Sequence, residues 1–233
     1  MLILARHGQS EANASGLLLG RTDSPLTALG YEQARALGRA LGHELGGVAA
    51  RMRPVKIVSS PLARALATSA EIATGLAAGG PAEIATGRFP GDRPGAGSSC
   101  APMGITVDDR WIEVDYGDYE GEELTQVPAE TWALWRKDPS FRPPGGESLS
   151  EVAERVGQAC EELVDQACDA DVVVVSHVSP IKAALAWALD SDVLLAWRLH
   201  LSVASMSRIA FDQGHRRPVL HSFNETWHLA GIG

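Results

Sequence analysis

The chain has 233 residues, of which 45% are hydrophobic and 21% are charged, and this composition is typical of an ordinary soluble globular protein. Its formal net charge of -9, without a basic run along the sequence, argues against binding to nucleic acid or to an anionic membrane surface. The length fits one α/β domain over residues 1–233.

The chain shows no secretory signal pattern at its start, and no run reaches the roughly 18 apolar residues of a membrane span. We therefore predict a cytoplasmic protein. Cys160 and Cys168 fall in one predicted helix, where about 12 Å of helix rise separates them, so no disulfide is expected between them.

Strand and helix signals alternate in the first third of the chain. The apolar run at 2–5 predicts a buried strand, and residues 27–41 carry apolar side chains at helical spacing, with Thr27 as a candidate N-cap. A second strand is predicted at 55–58, and a helix follows at about 61–74 with proline in its first turn.

The alternation resumes after an irregular segment. Residues 75–107 carry eight Gly and four Pro without a clear period, which indicates a surface insertion or a lid, and we favour the insertion. Ser148 and Glu151 then form a capping box at the start of an amphipathic helix that reaches about Cys168. The remaining predicted elements are a strand at 172–175, a helix from near Pro180, and weaker strands at 206–211 and 219–223.

This order of elements predicts a three-layer α/β/α sandwich with a mainly parallel central sheet, since parallel strands need crossover connections. Ligands of such sheets bind beyond the carboxyl ends of the strands. Arg6 and His7 follow the first strand, Arg64 lies one turn into the helix after the second, and His177 follows the strand at 172–175. Three strands therefore bring arginine and histidine chemistry to one edge of the sheet.

Two histidines and two arginines, without Cys, Asp or Glu at metal-ligand spacing, suit a phosphate dianion better than a metal ion. A neutral imidazole is a competent nucleophile toward phosphorus, and guanidinium groups bind phosphate oxygens through paired hydrogen bonds. The sequence thus predicts chemistry on a small phosphorylated substrate, without a metal or a cofactor.

A leaving alkoxide also needs a proton donor within reach of the phosphate. Glu113 is the preferred candidate, because apolar and aromatic neighbours between Trp111 and Tyr116 would raise its pKa by desolvation. Asp115 is the local competitor, and a helix cap or a salt bridge is the alternative role for Glu113.

These residues lie in an ordered set of motifs. Residues 6–13 (RHGQSEAN) resemble the opening signature of the histidine phosphatase, or phosphoglycerate-mutase-like, superfamily. The resemblance extends over nearly the whole chain, through motifs at 20–27 (GRTDSPLT), 59–65 (SSPLARA), 113–121 (EVDYGDYEG), 145–148 (GGES) and 175–177 (VSH).

The resemblance implies a phosphoglycerate-mutase-like fold and chemistry on a phosphomonoester. Hydrolysis with broad specificity is a further expectation, since aromatic residues near the site could receive different leaving groups. It implies that His7 attacks phosphorus and becomes a phosphohistidine, while Arg6, Arg64 and His177 bind the phosphoryl oxygens. Glu113 would protonate the leaving oxygen and then help water to attack the phosphohistidine. The implied contacts to substrate also include Ser10, Asn13, Gly20 and Val178.

Two of these positions depart from the superfamily pattern. Ser10 stands where threonine is frequent, and it keeps a hydroxyl. Val178 stands where glycine is common, so its side chain narrows the approach to the phosphate and disfavours a positive φ.

Two other functions stay open. A phosphoglycerate mutase-type transfer needs extra basic residues between Glu113 and the GGES motif, and only Arg136, Lys137 and Arg142 lie there, so hydrolysis is favoured. A non-catalytic phosphate- or peptide-binding module is disfavoured because binding alone needs neither a nucleophile nor a proton donor. The sequence leaves the oligomeric state open, a homodimer included.

Two further groups of residues have weaker assignments. Aromatic residues near the site form either a pocket rim or part of the core, and the core is favoured for each one. His228 is predicted to be a buried, hydrogen-bonded histidine without a catalytic part. The aromatic residues are Trp111, Tyr116, Tyr119, Trp132 and Trp135.

Overall fold

The computed structural model describes residues 1–46, 53–79, 104–212 and 216–232. Within those ranges the centre of the molecule is a six-stranded sheet with the strand order β3-β2-β4-β1-β5-β6. The first four strands in this order pair in parallel, β5 pairs antiparallel with β1, and β6 pairs antiparallel with β5. The strands are β1 (Leu2–Arg6), β2 (Val55–Ser59), β3 (Ile105–Val107), β4 (Asp171–Ser176), β5 (Met206–Phe211) and β6 (Pro218–Glu225).

Helices cover both faces of the sheet. They are α1 (Glu11–Ala14), α2 (Ala28–Gly46), α3 (Ala63–Ala78), α4 (Ala129–Lys137), α5 (Leu149–Asp169) and α6 (Val178–Ala188). Short 3-10 helices lie at Asp109–Trp111, Gly117–Tyr119, Val193–Arg198 and Trp227–Leu229. In the described part of the chain, none of the helices is both long and apolar enough to cross a membrane.

Alternate residues of each central strand enter two separate cores. Leu2 and Leu4 of β1 pack with residues of α5 and α6, whereas Ile3 and Ala5 pack with residues of α2 and α3 on the opposite face. The alternation follows from the period of two in a strand, and burial on both faces explains the continuous apolar runs. The predicted three-layer sandwich with a mainly parallel sheet is confirmed.

The helix starts follow the predicted capping chemistry. The Thr27 hydroxyl accepts the backbone N–H of Gly30, 3.0 Å away, at the start of α2. Ser148 and Glu151 form a reciprocal capping box at the start of α5, in which the Ser148 N–H donates to Glu151 Oε2 at 3.0 Å.

The limits of the predicted irregular segment need correction. Helix α3 continues to Ala78, and strand β3 begins at Ile105, so regular structure occupies both ends of the 75–107 segment. Residues 80–103 lie outside the described residues. The helix continues through Gly75 because this glycine sits at a close contact between two helices, where its missing side chain serves packing rather than a turn.

Glycines bring α2 and α3 into backbone contact. A Cβ added to Gly42 would collide with the carbonyl oxygen of Gly75, and one added to Gly75 would collide with the backbone of Gly38. The helices approach each other so closely that neither leaves room for a methyl group, and the obstacle is main chain that cannot rotate away.

We therefore expect Gly42→Ala to lower the free energy of unfolding by about 2 kcal/mol or more, because the overpacking cost exceeds the gain of up to about 1 kcal/mol in helix propensity. Urea unfolding measures this difference. Gly157→Ala in α5 is the matched control, since its Cβ would lie 3.8 Å from Trp187, an ordinary contact. A Gly42 variant as stable as the Gly157 variant would contradict the assigned contact.

Candidate active site

Three parallel strands end together at one edge of the sheet. Arg6, the last residue of β1, lies opposite Ser176, the last residue of β4. His7 and His177 come directly after these two strands, and their ring centroids are 5.0 Å apart. Both rings are buried, with 3% and 0% of their surface exposed. The structure thus brings the two predicted histidines together, although 169 residues separate them in sequence.

The backbone around His7 fixes its ring. Nδ1 lies 2.7 Å from the carbonyl oxygen of Gly8, and since a carbonyl only accepts, Nδ1 carries the hydrogen and Nε2 keeps a free lone pair. The His7 N–H donates to Ser176 O at 3.1 Å, and the His7 carbonyl accepts from Ala204 N at 3.0 Å. The ring nitrogen left available to react is therefore Nε2, and contacts on both sides of the residue hold it in place.

His177 is held on one side of its ring and unpaired on the other. Nε2 lies 2.7 Å from the hydroxyl of Ser60, at the end of β2. Nδ1 is buried and has no hydrogen-bond partner among the described residues. When the Ser60 hydroxyl donates to Nε2, Nδ1 carries the hydrogen and can donate it to an anion. A buried polar atom without a partner is costly, so this nitrogen is suited to a bound phosphoryl oxygen.

Two arginines flank the histidines, Arg64 buried and Arg6 half-buried. Arg64, with 2% of its surface exposed, donates to Thr22 O at 3.0 Å and to Gly20 O at 2.6 Å. Arg6 donates from Nη1 to Leu201 O at 2.6 Å, while its buried Nε has no partner among the described residues. Backbone carbonyls thus fix both guanidinium groups and leave other N–H groups for an anion.

The surroundings keep both histidines neutral. Burial lowers the pKa of His7 well below its ordinary 6.5, and the charges of Arg6 and Arg64 act in the same direction. Burial also lowers the pKa of His177, with additional contributions from His7 and the two arginines. At neutral pH the His7 imidazole is therefore unprotonated, as a nucleophile must be.

The same pKa shifts predict that stability falls in weak acid. The folded histidines bind protons less readily than the unfolded chain, so the unfolded state takes up protons first as the pH falls below about 6.5. Each histidine then costs up to about 1.4 kcal/mol per pH unit until its folded pKa is reached. His228, whose pKa burial also lowers, adds to this slope.

Urea unfolding at pH 7.5 and at pH 5.5 measures the effect. We expect His7→Gln to reduce the loss of stability between the two pH values, whereas His221→Gln, on an exposed residue of β6, should leave it unchanged. A stability that stays constant between these pH values would contradict neutral burial of the two site histidines.

Glu113 lies beside this cluster, and its side chain meets the N-terminus of α6. Its carboxylate accepts three backbone N–H groups: those of Val114 at 2.8 Å, Val178 at 3.0 Å and Ser179 at 3.1 Å. The sequence indicated apolar neighbours and did not show that this buried carboxylate also meets main-chain donors. The reason is that Val178 and Ser179 form the first turn of α6, where N–H groups lack partners within the helix.

The backbone of Val178 helps to hold Glu113. Its N–H donates to Glu113, so this donor is already used within the protein. Val178 opens α6 with an ordinary negative φ, because among the described non-glycine residues positive φ occurs at other positions. Valine in place of glycine therefore carries no backbone strain, and a contact of its side chain with substrate stays a prediction.

Ser10, Asn13 and Gly20 are each held by contacts within the protein. Ser10 caps α1, with its N–H and hydroxyl both directed to Asn13 Oδ1, at 3.2 and 3.0 Å. The Asn13 amide nitrogen is the group left to donate to a ligand. Gly20 gives its carbonyl to Arg64, and a Cβ there would collide with the carbonyl of Val114. Contact of these three residues with substrate stays a prediction.

Arg155 of α5 holds the segment that carries Glu113, a contact that no sequence motif indicated. It donates to Arg110 O at 2.6 Å and Ile112 O at 2.8 Å, and it pairs with both carboxylate oxygens of Glu147, at 2.8 and 3.0 Å. Glu147 belongs to the GGES motif. One guanidinium thus connects that motif to the backbone on the N-terminal side of Glu113.

The aromatic residues divide between core and surface. Trp111 and Trp135 are fully buried core residues. Trp132 is half-buried and packs between Trp135 and Trp197, with ring centroids 5.5 and 6.1 Å away. His228 is half-buried and donates from Nε2 to Ala204 O at 2.9 Å, as expected for a structural histidine.

Known proteins with similar sequences show the family of this chain. The sequence profile of the histidine phosphatase superfamily, branch 1, matches residues 2–86 and 96–226. Phosphoserine phosphatase 1 of Hydrogenobacter thermophilus is 32% identical over 232 residues, which cover 98% of this chain and 93% of that protein. The chain spans half the length of three mycobacterial relatives to which it is 34% identical.

Two solved structures share the fold over almost their full length. A mycobacterial glucosyl-3-phosphoglycerate phosphatase has a TM-score of 0.74 and 28% identity, covering 97% of this chain and 98% of that one. A phosphoserine phosphatase from Entamoeba histolytica, in complex with 3-phosphoglyceric acid, has a TM-score of 0.74 and 26% identity, covering 98% of each chain.

Proposed function

The chain belongs to branch 1 of the histidine phosphatase superfamily, and on that premise we propose that it hydrolyses small phosphomonoesters through a phosphohistidine formed on His7. The observation that carries this proposal is the state of His7: buried, neutral, with Nδ1 bound to Gly8 O and Nε2 free. Around it stand Arg6, Arg64 and the unpaired Nδ1 of His177, which suit three phosphoryl oxygens.

In the first step, Nε2 of His7 attacks the phosphorus atom and the bond from phosphorus to the leaving oxygen breaks. Glu113, protonated at this stage, gives its proton to that oxygen, and the alcohol departs. Arg6, Arg64 and His177 bind the equatorial oxygens, where negative charge is spread in the transition state.

In the second step, water attacks the phosphohistidine and the bond from phosphorus to Nε2 breaks. The Glu113 carboxylate takes a proton from the water, which restores the acid for the next cycle. Inorganic phosphate leaves and His7 returns to its neutral form. Atoms and protons balance without any further reactant.

The relatives support a substrate class. They are named for phosphoserine and for glucosyl-3-phosphoglycerate, and one structure contains 3-phosphoglyceric acid. Each of these molecules carries a carboxylate near the phosphoester. We propose small phosphorylated metabolites of this kind as substrates of the chain.

Hydrolysis is favoured over mutase-type transfer because two of the three basic residues between Glu113 and the GGES motif have other contacts. Arg136 lies over the rings of Trp132 and Trp197, 5.9 and 5.6 Å from their centroids. Arg142 donates to Glu151 at 2.6 Å. These side chains are committed within the protein, which argues against a second phosphate site on this segment.

The same proposal covers the domain organisation, the location and the cofactor requirement of the protein. The domain is a single catalytic unit over residues 1–233, it acts in the cytoplasm, and it needs neither a metal ion nor a cofactor. Two guanidinium groups, those of the buried Arg64 and the half-buried Arg6, would offset the charge of a phosphate dianion, which supports the last point. Turnover that survives dialysis against a chelator would agree with it, and turnover restored only by added metal would not.

A substrate panel tests the function. It contains phosphoserine, glucosyl-3-phosphoglycerate, 3-phosphoglycerate with and without its bisphosphate primer, sugar phosphates, nucleotides and an aryl phosphate. We expect release of inorganic phosphate without isomerisation, and an acid-labile, alkali-stable phosphoryl label after quenching. Primer-dependent isomerisation would favour the mutase, and binding without turnover or label would favour the non-catalytic module.

A further inference from the structure

Lys182 lies on α6, four residues after Val178. Residues at this spacing share one face of a helix and are about 6 Å apart along its axis. Long side chains on helices lean toward the N-terminus. The Lys182 side chain therefore runs back toward the start of α6, where the first N–H groups hold Glu113.

The Lys182 ammonium is half-buried, yet it makes no hydrogen bond and no ion pair with any residue in the described ranges. Burial lowers its pKa, and the principal charges that act on it are those of Glu113 and Arg6. The nearby cations differ in this respect. Arg6, Arg64 and Arg155 are each bound to backbone carbonyls.

A balance of charges indicates what the ammonium can bind. Arg6 and Arg64 match the two negative charges of a phosphate dianion. Glu113 must be protonated to act as the acid in the first step, and it is then neutral. Lys182 is left as an uncompensated positive charge on the side of the site that receives the leaving group, since that is where Glu113 delivers its proton.

We propose that Lys182 selects substrates by binding a carboxylate carried on the leaving group, a few bonds from the phosphoester oxygen. This rests on the proposed hydrolysis and adds to it the residue that recognises the acidic half of the substrate. The preferred substrates are short phosphorylated hydroxy acids or hydroxy amino acids.

The test compares two substrates that differ by one carboxylate, O-phosphoserine and O-phosphoethanolamine. A hydrogen bond between charged groups predicts that Lys182→Met lowers the ratio of their kcat/KM values by about 10- to 100-fold. Lys182→Arg, which keeps the charge, should restore part of the ratio. Lys137→Met, on an exposed lysine of α4, is the matched control and should leave the ratio unchanged.

A ratio that stays constant in Lys182→Met would overturn the proposal. Any fall in kcat/KM would then be equal for both substrates, and it would reflect folding or an effect on Glu113. Failure of the proposed function is seen separately, as an unmodified chain that releases no phosphate from an aryl phosphate. In that case calorimetry decides. Equal affinity of the unmodified chain and Lys182→Met for O-phosphoserine would overturn the assignment, and weaker binding by Lys182→Met would support it.

Discussion

Replacement of His7 by alanine is expected to lower phosphatase activity by at least about 10⁴-fold, because the reaction then lacks the nucleophile of its first step. No neighbouring group can replace it readily. His177 has Nε2 directed to Ser60, and the arginines are cationic. The measurement is phosphate release from an aryl phosphate, together with the phosphoryl label after an alkaline quench, which should disappear.

The control is His221→Ala, since His221 is an exposed histidine of β6. It should keep both the turnover and the label. Binding of inorganic phosphate to His7→Ala should persist, because the guanidinium groups remain. Retention of a label in His7→Ala would assign the nucleophile to another residue and overturn the mechanism.

Replacement of Glu113 by glutamine is expected to slow hydrolysis of alkyl phosphates by about 10²- to 10⁴-fold, the usual contribution of a general acid. An activated aryl phosphate should lose far less in its first step, since its leaving group needs little protonation. The glutamine keeps the size of the side chain, but its NH₂ cannot accept from the backbone N–H groups that the carboxylate satisfies.

This mismatch is expected to cost about 1–3 kcal/mol of stability, so assays should run well below the unfolding midpoint. Asp115→Asn is the matched control. Asp115 accepts the N–H of Gly117 at 2.9 Å and lies 3.5 Å from Arg21, and its loss should affect both substrates alike. Equal losses on both substrates in Glu113→Gln would remove Glu113 from the role of proton donor.

The sequence predicted the frame of the site well because its signals are local. Runs of buried apolar residues identify β1, β2 and β4, and the rule that parallel strands end at one edge then brings His7, Arg64 and His177 together. The strand β3 escaped prediction because three residues are too few to carry a period.

Contacts that depend on distant backbone could not be predicted in the same way. Ser60 meets His177 across 117 residues of sequence, and Glu113 meets the N–H groups of α6 across more than sixty. An apolar stretch of sequence indicates that its carboxylate is desolvated. It does not show which backbone N–H groups will donate to that carboxylate, because every residue type except proline carries such a group. Lys182 resembles any other lysine on an amphipathic helix until its surroundings are known.

The glycine contact between α2 and α3 affects how precisely the residues of the candidate phosphate pocket are positioned. Helix α3 carries Arg64 and also Thr68, whose hydroxyl accepts the Gly8 N–H at 3.1 Å. At the other end, α2 begins against the loop that follows the nucleophile, where a Cβ on Gly8 would collide with the Gly30 carbonyl. Main-chain contacts that cannot repack therefore contribute to the spacing between His7 and the Arg64 guanidinium, beside the Thr68 hydrogen bond and the apolar side chains between the helices. The methyl group of Gly42→Ala, roughly 18 Å along α2 from Gly30, would displace Arg64 relative to His7. We therefore expect this variant to lose activity while it is still folded.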